Sequence, residues 1–226
     1  MAAADPDRDA RLDPEYRQAI LPFYASSLLG ERAAAAYARR AATAGPPELA
    51  GGFAAQAGDE ERHAALDATR LGLLGVDPES AERLTPGVAR EMREALEVTD
   101  PLRRMFLTNF IGETALASAT FPFVIRLAEA NSDALSVALN RARLRDERRH
   151  AAFAERTFSI LVAQDARNLA VLQRWQDEHF APSANAFIEE VAPALESAPN
   201  RPDGDWLGDA LAAYRRRAEG IGLRAP

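Results

Sequence analysis

The sequence predicts an all-α protein: a four-helix bundle followed by additional C-terminal helices. Three observations carry that prediction. Nowhere does the chain show the alternating, β-branched runs that mark strands. Turn formers divide its 226 residues into long helical blocks. Two pairs of those blocks repeat one pattern of charged residues, as a duplicated helical hairpin would.

The first block runs from Asp13, a cap followed by Pro14 at the first helical position, to Thr43, and Gly45-Pro46-Pro47 stops it. A second starts near Pro47 and reaches Leu74, ended by Gly75. Residues 75–86 form a connector rich in turn formers, and a short helix from about Gly87 to Val98 follows. Asp100-Pro101 repeats the cap-and-proline start and opens a third long block to about Ala130, which Pro122 is expected to kink. Asn131-Ser132 turns into a fourth block, Asp133 to Gln164. The fifth extends from Asp165 to Glu190 and should be interrupted at Pro182; after the loop SAPNRPDGD, an amphipathic piece runs from Trp206 to about Gly220. Long helices joined by one short and two longer connections suit a four-helix bundle. Residues 1–226 read as one domain, with a core bundle at about 13–165 and a helical extension at about 166–226.

Composition narrows the chemistry. There is no Cys, which excludes disulfides, thiolate-held zinc, iron–sulfur clusters and a cysteine nucleophile. All 27 basic residues are Arg, so Schiff-base chemistry and the lysine of a phosphate-binding loop are also absent. A net charge of −7 disfavours nucleic acid as a partner. No apolar run is long enough to span a bilayer, and the acidic start MAAADPDRDARLDPE lacks the features of a secretory signal, so a cytoplasmic protein is expected. Any metal must be held by Asp, Glu and the three histidines, His63, His150 and His179.

Two of those histidines are placed identically. Asp59-Glu60-Glu61-Arg62-His63-Ala64-Ala65 and Asp146-Glu147-Arg148-Arg149-His150-Ala151-Ala152 differ only at the third position, and upstream Gly30-Glu31 and Gly112-Glu113 correspond. Core patterning would repeat apolar residues, so a duplication that keeps charged ones calls for another cause. Within each segment the Glu and His lie three residues apart, on one helical face. Glu31 and Glu113 lie in the interior of the first and third blocks. Four antiparallel helices can bring all these positions into one layer.

The result is Glu31, Glu60, His63, Glu113, Glu147 and His150 around one point, the ligand pattern of two-iron or two-manganese carboxylate bundles. Two divalent ions carry the charge that four carboxylates balance, whereas isolated buried carboxylates would each cost several kcal/mol. Hard oxygen donors with few imidazoles suit iron or manganese; a lone zinc takes fewer ligands in a tetrahedral site. One His per ion leaves coordination positions open to dioxygen or peroxide.

On these residues the chain resembles the ferritin-like di-iron carboxylate superfamily, and the D-E-x-R-H form resembles that of its oxygenase and acyl desaturase members. The resemblance covers about Glu15 to Gln164. It implies that the six residues above are both metal ligands and the catalytic set, that Glu60 and Glu147 bridge the ions, and that Asp59 and Asp146 each accept a hydrogen bond from the ligand His of the opposite repeat. It further implies two Fe ions, with Mn as a substitute at one or both positions, and an oxygen-activating oxygenase or oxidase acting on a small organic substrate. The reaction would be hydroxylation, N-oxygenation, desaturation or C–C cleavage. No G-x-G-x-x-G fingerprint for flavin or nicotinamide is present, so electrons are expected from an external ferredoxin or flavin reductase, with the protein a monomer or homodimer.

The alternative is a ferroxidase, iron-storage or peroxidase-type relative; bacterioferritin-like proteins carry the same ligands, while rubrerythrin-like ones typically add a cysteine-bound iron. No subfamily is singled out. The position of a radical tyrosine, four residues after His63, holds Asp67; the extra histidine of arylamine N-oxygenases is replaced by Arg143; and the threonine of multicomponent hydroxylases by Ala117, with Thr114 and Ser118 nearby. Small aldehyde-deformylating oxygenases are similar in length and ligand order. Arg62 and Arg149 read as salt-bridge partners, and His179 as a structural or surface residue. Arg141, Arg143, Arg145, Arg148 and Arg149 read as a solvated face, and Phe106, Phe110, Phe121, Phe123 and Phe153 as core rather than substrate-pocket lining.

Overall fold

The computed structural model describes residues 11–114 and 119–224. The first bundle helix, α1 (Pro14–Ala44), starts where Asp13 accepts hydrogen bonds from the backbone N–H groups of Glu15 and Tyr16. It continues through Pro22 and stops at Gly45. A single turn leads into α2 (Ala50–Leu73), which ends in a Schellman cap: Gly75 takes φ +86° and the Val76 N–H reaches the Leu71 carbonyl. Two short helices, α3 (Ala81–Leu84) and α4 (Pro86–Glu97), carry the chain across the bundle.

The third bundle rod is not one regular helix. Asp100 caps α5 (Pro101–Met105), which passes into a π-helical segment, Phe106–Glu113, and the rod resumes as α6 (Phe121–Ala130) with Pro122 in its first turn. Pro122 is the second residue of α6, which follows directly on residues 119–120, themselves π-helical. Ser132 at φ 59° closes the turn, and Asp133 caps α7 (Ala134–Gln164). Beyond it, α8 (Arg167–Glu190), α9 (Ala192–Glu196) and α10 (Trp206–Gly220) complete the fold. Contrary to expectation, α8 runs straight through Pro182. Both Pro182 and Glu178, whose carbonyl loses its helical donor, are exposed, so water can satisfy that oxygen.

The apolar core comes in two clusters. One gathers Leu28, Leu71, Phe123, Leu127 and Trp206; the other gathers Tyr37, Phe53, Phe106, Phe110, Phe158 and Tyr214. Along α1 the first cluster ends at Leu28 and the second begins at Tyr37, with Glu31 between them. The C-terminal helices belong to both clusters: Trp206 stacks on Phe123 with centroids 5.0 Å apart, and Tyr214 lies 6.0 Å from Phe110. Phe106, Phe110, Phe121 and Phe123 are buried core, and Phe153 packs edge-on against Phe53. No helix among the described residues is long and apolar enough to cross a membrane.

Candidate metal centre

Six polar side chains fill the layer between the two clusters. Glu31 comes from α1, Glu60 and His63 from α2, Glu113 from the end of the π-helical segment, and Glu147 and His150 from α7. All six are buried, none more than 8% exposed. They form two overlapping groups, Glu31, Glu60, His63, Glu147 and Glu60, Glu113, Glu147, His150, in each of which the candidate ligand atoms lie within 4.8 Å of one another.

The histidine nitrogens set the geometry. His63 Nδ1 lies 3.4 Å from Glu31, 3.2 Å from Glu60 Oε2 and 3.1 Å from Glu147 Oε1. His150 Nδ1 lies 3.2 Å from Glu60 Oε1, 3.8 Å from Glu113 and 3.7 Å from Glu147 Oε2. Glu60 and Glu147 thus turn one oxygen toward each histidine. The outer imidazole nitrogens pair crosswise: His63 Nε2 is 3.2 Å from Asp146, and His150 Nε2 is 3.0 Å from Asp59. An N–H donated there, with the second proton displaced, would leave each Nδ1 lone pair aimed inward, the tautomer a metal needs.

Burial opposes charge throughout this layer. It raises the Glu31 and Glu113 carboxyls well above the ordinary carboxylate range, and neighbouring carboxylates add to the effect. Burial also works against imidazolium at His63 and His150, yet the surrounding glutamates outweigh it and push both up to about 12. Such a site is short of positive charge. The outer acids are already balanced, Asp59 and Asp146 by Arg62 and Arg149, and Asp67 by Arg143. Fully ionised, the four glutamates would carry four negative charges, the number that two divalent ions neutralise. The donors fit such ions in a second way: His150 Nδ1 and Glu147 Oε1 are buried and make no hydrogen bond despite their close neighbours.

Several contacts went unread in the sequence. Gln56, one turn before Glu60, donates to Glu60 at 2.9 Å and to Glu113 at 3.0 Å, and Asn109, one turn before Glu113, donates to Glu113 at 3.2 Å. Arg143, expected on a solvated face, is 1% exposed; it pairs with Glu31 and Asp67 and lies over the Phe121 ring at 4.6 Å. The correction has a simple cause. Positions 143, 147 and 150 share one helical face, and that face is buried in the polar layer. Arg141, Arg145, Arg148 and Arg149 are exposed as expected, with Arg149 reaching Asp59 and Asp146. His179 stands apart, accepting from Arg103 at 2.6 Å. Ala117 and Ser118 lie outside the described residues.

The family model for methane/phenol/alkene hydroxylases matches residues 2–165. Among solved structures, a Synechococcus protein with aldehyde deformylating oxidase activity superposes with a TM-score of 0.72 at 19% identity, covering 94% of each chain. Toluene 4-monooxygenase, with toluene bound in its resting active site, gives a TM-score of 0.71 at 16% identity over 83% of this chain and 66% of that one. At such identities the structural likeness speaks for the helical-bundle fold. A search of the curated proteins finds no match. The family model spans most of the chain and includes every residue of the buried Glu/His layer, so this protein belongs to the methane/phenol/alkene hydroxylase family, in the oxygenase and oxidase branch of the ferritin-like di-iron proteins.

Proposed function

We propose that residues 1–226 act as one domain, a di-iron oxygenase that oxidises a small, largely apolar organic molecule with dioxygen. One observation carries the reading: two four-residue groups of buried Glu and His share Glu60 and Glu147. Glu31, Glu60, His63 and Glu147 would hold one ion, and Glu60, Glu113, Glu147 and His150 the other, with iron preferred and manganese the substitute. A bound iron pair supplies reducing equivalents to dioxygen and an oxidant to the substrate.

The chain's own residues do the rest. Asp146 and Asp59 hold the protons on His63 Nε2 and His150 Nε2, which keeps both imidazoles oriented as the site requires. Gln56 and Asn109 fix the Glu113 carboxylate. Tyr37 and Phe53, packed edge-on with centroids 5.6 Å apart, belong to the apolar cluster beyond the layer and help exclude water from it. The absence of a nucleotide-binding fingerprint supports an external ferredoxin or flavin reductase as donor, and the oxygenase reading goes with a monomer or homodimer, placed in the cytoplasm.

The test loads metal-stripped protein anaerobically with Fe(II), adds labelled dioxygen and a reductant, and offers toluene, phenol, a terminal alkene and a fatty aldehyde separately. Oxidised product that depends on iron and on Glu147 is expected. Consumption of dioxygen that only deposits ferric iron, with no organic product from any probe, would overturn the oxygenase reading in favour of a ferroxidase.

A further inference from the structure

The two hairpins place different residues one helical turn before equivalent ligands. Four residues before the shared glutamates stand Gln56 and Arg143; four before Glu113 and Glu31 stand Asn109 and Ser27. Glu113 is therefore held by two neutral amides, Gln56 at 3.0 Å and Asn109 at 3.2 Å. Glu31 is held by a cation: the Arg143 Nη2 group donates to Glu31 Oε1 and to Ser27, while Nη1 pairs with Asp67 at 2.7 Å. Glu31 spends one oxygen on the guanidinium, and the other, Oε2, faces His63 Nδ1 at 3.4 Å.

A neutral amide leaves the charge of a carboxylate whole, whereas a guanidinium in contact competes for its lone pairs and repels a second cation. Asp67 offsets the charge of Arg143 through its own 2.7 Å contact with Nη1, but the contact of Nη2 with Glu31 remains. We infer that Arg143 is a positioning residue that makes the two metal positions unequal: the Glu113 position binds first and more tightly, and the Glu31 position is the one whose ion exchanges. The inference rests on the two-metal reading proposed above and adds an order of filling to it.

Anaerobic titration of stripped full-length protein with Co(II), followed by calorimetry and cobalt absorption, tests it. Two binding steps are expected, separated by about tenfold or more. Glu31→Ala should remove the weaker step and Glu113→Ala the tighter one. The double variant Arg143→Gln/Asp67→Asn removes both buried charges together, so neither is left without a partner; its weaker step should tighten by about tenfold or more until the steps merge. Gln56→Arg, which places a guanidinium on the Glu113 side, should weaken the tighter step and serves as the second probe should the double variant not fold. A merely structural Arg143 would lower the melting temperature and leave the ratio of the two constants unchanged. Equal steps in the unmodified protein, a separation that survives loss of Arg143 in a folded variant, or loss of the tighter step in Glu31→Ala would each overturn the inference. No Co(II) binding at all would instead overturn the two-metal reading beneath it.

Discussion

The hairpin α1–α2 and the hairpin from α5 to α7 carry the same acids and imidazoles on different backbones. Glu31 sits on α1, helical throughout its length, whereas Glu113 closes a π-helical segment. Around the first carboxylate stands a guanidinium, around the second a pair of amides. The six residues of the layer correspond between the hairpins, while the residues one helical turn before them differ. On the two-ion reading proposed above, a duplicated site would become two unequal positions without changing one ligand, and π-helical turns are themselves frequent at functional sites.

The comparison can be broken most sharply at the shared residues. Glu60→Ala or Glu147→Ala should take bound metal from two ions per chain to background, because each carboxylate faces both histidines; Glu31→Ala and Glu113→Ala should each retain one ion. Metal analysis after gel filtration distinguishes the patterns, and equal losses from all four variants would contradict the shared role.

The crossed aspartates allow a finer dissection. Asp146→Asn should weaken the ion beside His63, and Asp59→Asn the ion beside His150, each by about 10–100-fold. Competition with a chelator measures both. Were each variant to affect the ion of its own hairpin, the crosswise arrangement would be wrong.

Acidity probes both halves together. His63 and His150 have folded-state pKa values raised from 6.5 to about 12, so in stripped protein the bound protons stabilise the fold fully below about pH 6.5 and that stabilisation drains away as pH rises toward 12. The melting temperature of stripped protein should fall from pH 6.5 to 9, while the gain on adding metal grows, since metal displaces those protons. A stripped protein that becomes more stable over that range would refute the charge deficit.

The smallest effect belongs to the rim. Arg62 pairs with Asp59 and Asp146 but its side chain is 59% exposed, so Arg62→Ala should change stability by no more than about 1 kcal/mol in urea unfolding.

Sequence spacing made the bundle and the six converging residues legible, because an i, i+3 pair on a helix has one geometry and core packing alone does not duplicate charged pairs. Arg143 was hidden by its company, the exposed Arg141, Arg145, Arg148 and Arg149 around it on the same helix. The signal lay in its register, four residues before Glu147, and the same rule applied to Gln56 and Asn109 would have found them too. The π-helical turn left no mark that residue type or helical periodicity could reveal. Pro182 misled because losing one helical hydrogen bond, at the carbonyl of the exposed Glu178, does not by itself end a helix, and α8 continues through it.

Anomalous diffraction from crystals of the iron-loaded protein, recorded on both sides of the iron edge, tests the central assignment most directly. Two peaks are expected per chain, one beside His63 Nδ1 and one beside His150 Nδ1, with Glu60 and Glu147 spanning both. A single peak, or iron bound only outside the layer of Glu31, Glu60, Glu113 and Glu147, would contradict it.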